Sequence, residues 1–240
     1  SRCAGCTTRR KGGVAIMTSI VAEHLDRVRR SLPEGVTLVA VSKFHPADVL
    51  LEAYNAGQRI FGESRVQELE EKRLQLPNDI CWHFIGHLQT NKVRYIVPYI
   101  GLIHSVDSKK LLAEIERQAA RVPRVVDCLL EVHVAIEETK YGFSPDECLA
   151  FMESFCAEDY PHVSIRGLMG MASNTDDKSR VAADFASLKR LFDEVDSRCR
   201  SQLPGFNILS MGMSHDYDIA VQEGSNMVRV GTNIFGERQY

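Results

Sequence analysis

Residues 37–46 read Thr-Leu-Val-Ala-Val-Ser-Lys-Phe-His-Pro. The first residues of this stretch are apolar or β-branched and include neither proline nor glycine, so we expect a buried strand over residues 37–42. Pro46 is suited to the start of a following helix, because its fixed φ fits the first helical turn. Lys43 therefore follows directly on a buried strand, where parallel α/β folds collect their functional side chains.

The same order, a short apolar run followed by an amphipathic segment, repeats along the chain. Further strands are predicted at 59–61, 82–85, 102–106, 127–134, 163–169, 207–210 and 227–230. Helices are predicted at 19–30, from 46 onward, and at 66–76, 108–121, from 144 onward, 178–200 and 217–223. Strands that alternate with helices imply a parallel sheet with right-handed crossovers.

Eight strands in a chain of 240 residues, without a linker-like change of composition, favour a single (β/α)8 TIM barrel over an open doubly wound sheet. Residues 231–240 are too few for a full closing helix, so we expect an extra N-terminal helix at 19–30 to take its place. Residues 1–16 lack an apolar run, and we expect Met17, which is followed by Thr18-Ser19-Ile20, to be the natural initiator. We therefore predict a non-native or disordered extension at 1–16 and one barrel domain at 17–240.

The composition argues against several classes of function. The formal net charge is −3 and no basic stripe is evident, so we expect no nucleic-acid partner. No window approaches the ~18 consecutive apolar residues of a membrane span, so we expect no membrane partner. Seven scattered cysteines favour a reducing cytoplasm over a disulfide framework. Cys3 and Cys6 form a C-x-x-C without further zinc ligands nearby, so no metal is expected.

The ends of the predicted strands suggest one kind of chemistry. Lys43 would lose hydration in the barrel mouth, which lowers its pKa, and a neutral amine attacks a carbonyl to form a Schiff base. Glycines and hydroxyls in Met211–Ser214 and Val230–Thr232 form a candidate anion nest after the last two strands, a common phosphate site in such barrels. Arg229 adds a cation. Because strands one and eight become neighbours on closure, this arrangement suits a phosphorylated aldehyde.

These strand ends belong to longer segments that resemble the pyridoxal phosphate homeostasis protein family, also called the proline synthetase co-transcribed family. The matching segments are Ala40–Pro46, Phe61–Glu68, Trp82–Lys92, His104–Asp107, Lys140–Phe143, Gly167–Met171, Ser210–Ser214 and Val228–Gly236. The resemblance runs from about Thr18 to the C-terminus. It implies a barrel similar to the N-terminal domain of alanine racemase, with pyridoxal 5′-phosphate (PLP) as cofactor.

The resemblance also implies roles for individual residues. Lys43 would hold PLP as a Schiff base, and Arg229 would face the pyridine nitrogen. Ser64 stands where the family often has asparagine, and serine donates one hydrogen bond instead of two. The phosphate binders would be Ser214, Gly231 and Thr232. The complete expected cofactor-binding set is Lys43, Ser64, Met211, Ser214, Arg229, Gly231 and Thr232.

Several further side chains lie near the ends of the predicted strands. For the histidines we expect hydrogen-bonding or mouth-lining roles, and Lys140 is a candidate second cofactor acceptor. These histidines are His83, His87, His104, His133 and His215.

Two features favour a carrier over an enzyme. Arg229 cannot accept the proton that a carboxylate would stabilise on the ring nitrogen, which weakens the electron sink. Alanine racemase-like enzymes add a second domain and a tyrosine base from a partner chain, whereas this sequence ends at Tyr240. We therefore expect a monomeric PLP homeostasis protein without catalytic residues, which buffers, stores or delivers PLP to apo PLP-dependent enzymes. The alternatives are a PLP-dependent amino-acid racemase or decarboxylase, and a Schiff-base aldolase acting on a sugar phosphate.

Overall fold

The computed structural model describes residues 7–11, 14–138 and 141–238, with side chains described from Thr18 onward. Cys3, Cys6, Lys140 and Tyr240 lie outside the described residues, so the expectations attached to them stay predictions.

The described residues form ten strands and nine α-helices. The strands are β1 (Thr7–Lys11), β2 (Val14–Thr18), β3 (Thr37–Val41), β4 (Ile60–Glu63), β5 (Cys81–Phe84), β6 (Leu102–Val106), β7 (Val126–Glu131), β8 (Val163–Met169), β9 (Ile208–Ser210) and β10 (Met227–Val230). The helices are α1 (Ile20–Ser31), α2 (Ala47–Asn55), α3 (Val66–Gln75), α4 (Val93–Ile96), α5 (Lys109–Arg121), α6 (Pro145–Ser154), α7 (Lys178–Cys199), α8 (Tyr217–Gln222) and α9 (Thr232–Phe235). Short 3-10 turns lie at Thr90–Lys92 and Ala157–Asp159.

Strands β3 to β10 form a closed parallel barrel in the order β10-β3-β4-β5-β6-β7-β8-β9. The predicted (β/α)8 barrel is thus confirmed. The last strand closes the barrel by pairing with the first, with Arg229 beside Val39 and Val230 beside Ala40. This pairing places the ends of β3 and β10 next to each other.

The strands are apolar because both of their faces are covered. Strand side chains alone form an inner cluster of Val39, Leu102, Leu129, Met169 and Met227, and a larger cluster lies where the helices cover the barrel. Full burial of one such side chain contributes roughly 1.5–3 kcal/mol, so these two clusters supply most of the stabilisation.

Helix α1 fills the outer layer that α9 leaves incomplete, as predicted. It packs against both α9 and α2. Ser19 caps its N-terminus by accepting a hydrogen bond from the Ala22 N–H at 3.1 Å. Its buried face includes Leu25, and His24 Nδ1 lies 3.2 Å from the Ile234 carbonyl oxygen.

Strands β1 and β2 form a separate antiparallel sheet in which Thr7 pairs with Thr18. These two strands are not among those predicted from the sequence, which assigns residues 1–16 to an extension. Strand β2 runs across the boundary between residues 16 and 17, and the division into 1–16 and 17–240 stays a prediction. Within the described residues, every helix is too short or too polar to cross a bilayer.

Gly167 permits the close approach of β8 and β9, which yields a prediction about stability. A Cβ at this position would lie 1.7 Å from the carbonyl oxygen of Ile208. We expect Gly167→Ala to lower the free energy of unfolding by about 3 kcal/mol, because the strands must separate. Gly35→Ala is the matched control, since Gly35 has a φ of 87° but nothing within 4 Å of its added Cβ; it should cost about 1 kcal/mol through backbone strain. Urea unfolding monitored by circular dichroism measures both, and equal losses would contradict the prediction.

Candidate functional site

A cavity of about 330 Å³ lies at the carboxyl ends of the barrel strands. Six of the seven predicted site residues line it. They are Lys43, Ser64, Ser214, Arg229, Gly231 and Thr232. The barrel therefore brings together residues that lie up to 189 positions apart in the sequence.

Met211 is the predicted residue that the structure does not bring to the cavity. Its side chain is fully buried in the core, whereas Met213 lines the cavity. The backbone between them turns at Gly212, which has a φ of 102°. A Cβ at Gly212 would lie 2.7 Å from Ala220 Cβ, so this turn needs glycine.

Lys43 follows β3 after Ser42 and lies partly buried at the cavity wall. Burial is the main reason why the pKa of Lys43 is lowered, and the nearby cations Arg238 and Arg229 lower it further, while Glu63 and Glu68 oppose them. A lowered pKa increases the neutral fraction of the amine, which is the form that attacks a carbonyl.

Arg229 is the cation at the buried end of the cavity. Its guanidinium donates hydrogen bonds to Ser210 Oγ and, at 3.2 Å, to the Gly170 carbonyl oxygen. Burial lowers the pKa of Arg229 to about 10, against the opposing effect of Glu131 and Asp216. The guanidinium therefore keeps its charge at neutral pH and acts as a donor in a fixed orientation.

A chain of hydrogen bonds continues from Arg229 across the barrel interior. Ser210 Oγ lies 2.9 Å from His104 Nδ1, and His104 Nε2 lies 2.9 Å from His83 Nδ1. Burial lowers the pKa of His83 to about 3 and that of His104 well below its usual value, so both imidazoles are neutral. Because Ser210 accepts from Arg229, its own proton can be donated to His104, and this orders the whole chain.

The electrostatics of the cavity favour an anionic ligand. Lys43, Arg229 and Arg238 line it together with His45 and His215, and among its lining residues that the structure describes there is no carboxylate. Arg238 and His45 were not predicted as site residues. Arg238 follows the last helix in the C-terminal segment, where no strand end marks it in the sequence.

The loops after β9 and β10, which were predicted to form an anion cradle, contact each other at the cavity. Ser214 Oγ accepts a hydrogen bond from the Gly231 N–H at 3.1 Å, and Asn233 Nδ2 donates to the Ser214 carbonyl oxygen at 3.1 Å. A Cβ at Gly231 would lie 3.0 Å from the Val41 carbonyl oxygen, so glycine keeps this loop close to β3. Thr232 adds an exposed hydroxyl at the start of α9.

The remaining predicted histidines have different surroundings. His87 stacks on Tyr141 with ring centroids 3.8 Å apart and lies 3.4 Å from Asp107. His133 lines a neighbouring cavity of about 270 Å³, which shares His215 with the first. Within the ranges that the structure describes, no group of three or more His, Cys, Asp or Glu side chains is arranged to hold a metal ion.

The fold and this cavity define a barrel of the alanine racemase N-terminal class, and the sequence model of the family described as "Alanine racemase, N-terminal domain" matches residues 16–239. The pyridoxal phosphate homeostasis protein of Aquifex aeolicus is 42% identical over 204 residues, covering 85% of this chain and 87% of that protein. The protein of the same name from Homo sapiens is 41% identical over 233 residues, covering 92% and 83%. The structure of PipY from Synechococcus elongatus PCC7942 with PLP bound superposes with a TM-score of 0.81 at 39% identity, covering 90% of this chain and all of that one. The chain belongs to the pyridoxal phosphate homeostasis protein family.

The acid Glu131 at the end of β7 yields a prediction about pH. Burial, and then Asp107, raise its pKa to about 7, while Arg229 opposes them. The folded-state pKa of Glu131 exceeds the unfolded value of about 4.5, so the protonated acid favours the folded state. Its contribution to the free energy of unfolding is complete below pH 4.5 and is lost as the pH rises through 7. Glutamine mimics the protonated acid and does not titrate. When the pH rises from 5 to 8, the free energy of unfolding of Glu131→Gln should therefore fall by on the order of 1–3 kcal/mol less than that of the wild type.

Urea unfolding at both pH values measures this difference. Glu34→Gln, at an exposed position, is the control and should follow the wild type. Identical pH dependence of wild type and Glu131→Gln would contradict the prediction.

Proposed function

We propose that this protein binds PLP in the cavity, holds it as a Schiff base on Lys43, and serves intracellular PLP homeostasis. One observation carries the proposal: the Lys43 amine, the Arg229 guanidinium and the Ser214–Gly231 cradle line the same cavity, which has no carboxylate among its described lining residues. PLP is an anion with an aldehyde, and these features would provide partners for its aldehyde, its ring nitrogen and its phosphate.

The residues present fit this cofactor. Glycine at 231 lets the loop after β10 lie close to β3, because a side chain there would press on Val41. When bound, PLP supplies an aldehyde carbon that reacts with a primary amine. Lys43 supplies that amine, and its lowered pKa increases the neutral form that reacts. Ser214, Gly231 and Thr232 would hold the phosphate through backbone N–H groups and hydroxyls.

Arg229 favours a role in binding over a role in catalysis. Its guanidinium is held by Ser210 and the Gly170 carbonyl oxygen, and it can only donate hydrogen bonds. A donor that faces the pyridine nitrogen leaves this nitrogen without a proton, which weakens the stabilisation of a carbanion. We therefore propose buffering, storage or delivery of PLP, without a catalytic residue, and apo PLP-dependent enzymes as recipients. A PLP-dependent racemase or decarboxylase is the alternative, because the barrel is of the racemase class.

The first test is the visible spectrum of the protein after addition of PLP. Wild type should turn yellow, and borohydride reduction should fix a phosphopyridoxyl group on Lys43, identified by peptide mass spectrometry. Lys43→Ala should lose both signals because it lacks the amine, while Lys110→Ala, at an exposed position on α5, should keep them. A wild-type protein that stays colourless would overturn the proposal and favour the aldolase alternative. A band that survives Lys43→Ala would overturn the assignment of the Schiff base to Lys43.

The second test separates carrier from enzyme. The PLP-loaded protein is mixed with an apo PLP-dependent enzyme, and recovery of the recipient's activity measures transfer. Exchange of the α-proton of amino acids in deuterated water, followed by NMR, measures catalysis. We expect transfer without rapid exchange, and exchange at rates typical of enzymes would favour the racemase or decarboxylase alternative.

We further propose that residues 17–240 are the PLP-binding unit, that this unit is a monomer, and that it works in the cytoplasm. The first point is supported by the positions of helix α1 and of all eight barrel strands, which follow Met17 in the chain. A variant that starts at Met17 should keep the visible band and the mass of one chain in light scattering. Loss of the band in a folded variant would contradict the proposed boundary.

A further inference from the structure

Behind the cavity, a buried ion cluster lies against the turn that carries Lys43. The Lys72 ammonium on α3 donates to Glu63 Oε1 at 2.5 Å, to Glu68 Oε1 at 2.7 Å and to the Ser42 carbonyl oxygen at 2.7 Å. The side chains of Lys72 and Glu63 are 7% and 0% exposed, so solvent cannot replace these contacts. An ammonium has three donors, and here all of them are used.

These contacts reach the backbone on both sides of Lys43. Ser42, whose carbonyl oxygen accepts from Lys72, precedes Lys43 in the chain. Phe44 follows it, and the Phe44 N–H donates to Glu68 Oε1 at 2.5 Å, the same oxygen that accepts from Lys72. The Lys72 ammonium thus holds the Ser42 carbonyl group by a direct hydrogen bond. It holds the Phe44 N–H indirectly, through the Glu68 carboxylate.

Phe44 needs such support because of its backbone conformation. Its φ is 66°, and it is the one non-glycine residue with positive φ in the described part of the chain. An aromatic residue in this region is uncommon, since its Cβ crowds the following carbonyl oxygen. The surrounding structure has to hold such a residue in place, and strained backbone of this kind clusters at functional sites.

A purely structural role would require Lys72 only to join α3 to the barrel, and the contact with Glu63 of β4 would suffice for that. The contacts to Ser42 and, through Glu68, to Phe44 go further. They determine the direction in which the chain leaves β3, and therefore the direction in which the side chain of Lys43 starts.

We infer that Lys72 is a positioning residue for Lys43: through Ser42, Glu68 and the left-handed Phe44 it directs the reactive amine into the cavity. This inference rests on the proposed function in that the amine it positions is the one that reacts with PLP. Lys72 itself does not line the cavity.

The test compares Lys72→Met with the wild type and with Lys110→Met, the same change at an exposed lysine. Methionine keeps the apolar stem and removes the donors. We expect the rate constant for appearance of the visible band after mixing with PLP to fall at least tenfold. In the protein without PLP, the rate at which acetic anhydride labels Lys43, followed by peptide mass spectrometry, should change by several-fold. Lys110→Met should alter neither quantity.

A second pair of variants separates positioning from a general loss of stability. In the Phe44→Gly background the left-handed conformation is free of steric cost. If Lys72 acts by holding this conformation, the loss caused by Lys72→Met should shrink to less than threefold in that background. The same tenfold loss in both backgrounds would overturn the inference, as would unchanged kinetics and labelling in Lys72→Met.

If Lys72→Met does not fold, Glu68→Gln and Glu68→Ala replace it. Glutamine keeps an oxygen that can accept from the Phe44 N–H, and alanine removes it. We expect the tenfold loss in Glu68→Ala and a smaller one in Glu68→Gln, and equal rates in the two variants would overturn the inference. Failure of the proposed function is recognised separately, because it would remove the visible band from the wild type while the labelling of Lys43 still reports on its positioning.

Discussion

The pairing of β10 with β3 is the constraint on which the rest of the structure depends. It places Val230 beside Ala40 and thereby sets Gly231 against the end of the strand that leads to Lys43. Without this pairing, β3 and β10 would be opposite edges of the same sheet, and the amine and the loop after β10 would lie far apart. Closure turns them into one cavity. Helix α1 packs against the short α9 and against α2, and the paired residues Ala40 and Val230 are fully buried.

One row of polar side chains crosses the otherwise apolar interior of the barrel. Arg229, Ser210, His104 and His83 form a hydrogen-bonded chain from β10 to β5 within the apolar interior. Burial keeps both imidazoles neutral, so the chain adds no second charge near the guanidinium. The chain fixes orientation, because each group sets the donor direction of its neighbour, and Arg229 at one end of the chain lines the cavity. A buried polar network is stable when each member has its partner, and this one meets that condition along its length.

The sequence predicted the barrel and most of the residues that line the candidate site, because both depend on local patterns. Apolar runs mark strands, and the residues just after them mark the mouth, which located Lys43 and Gly231. The errors come from effects that a local pattern does not contain. Met211 and Met213 are equivalent in the sequence, and only the turn at Gly212 decides which of them reaches the cavity. Arg238 lies in a terminal segment that has no hydrophobic periodicity to mark it. The contact between His83 and His104 depends on the alignment of the neighbouring strands β5 and β6.

Closure by the last strand also has a consequence during protein synthesis. Residues 37–41 emerge early from the ribosome, but the strand that completes their pairing ends only at residue 230, and Arg238 follows it. Contacts between such distant parts of a chain form late and slowly. Until β10 and the residues that follow it have left the ribosome, Lys43 lies at an unpaired sheet edge and the cavity is incomplete. A nascent chain that has not yet exposed β10 therefore lacks the assembled site.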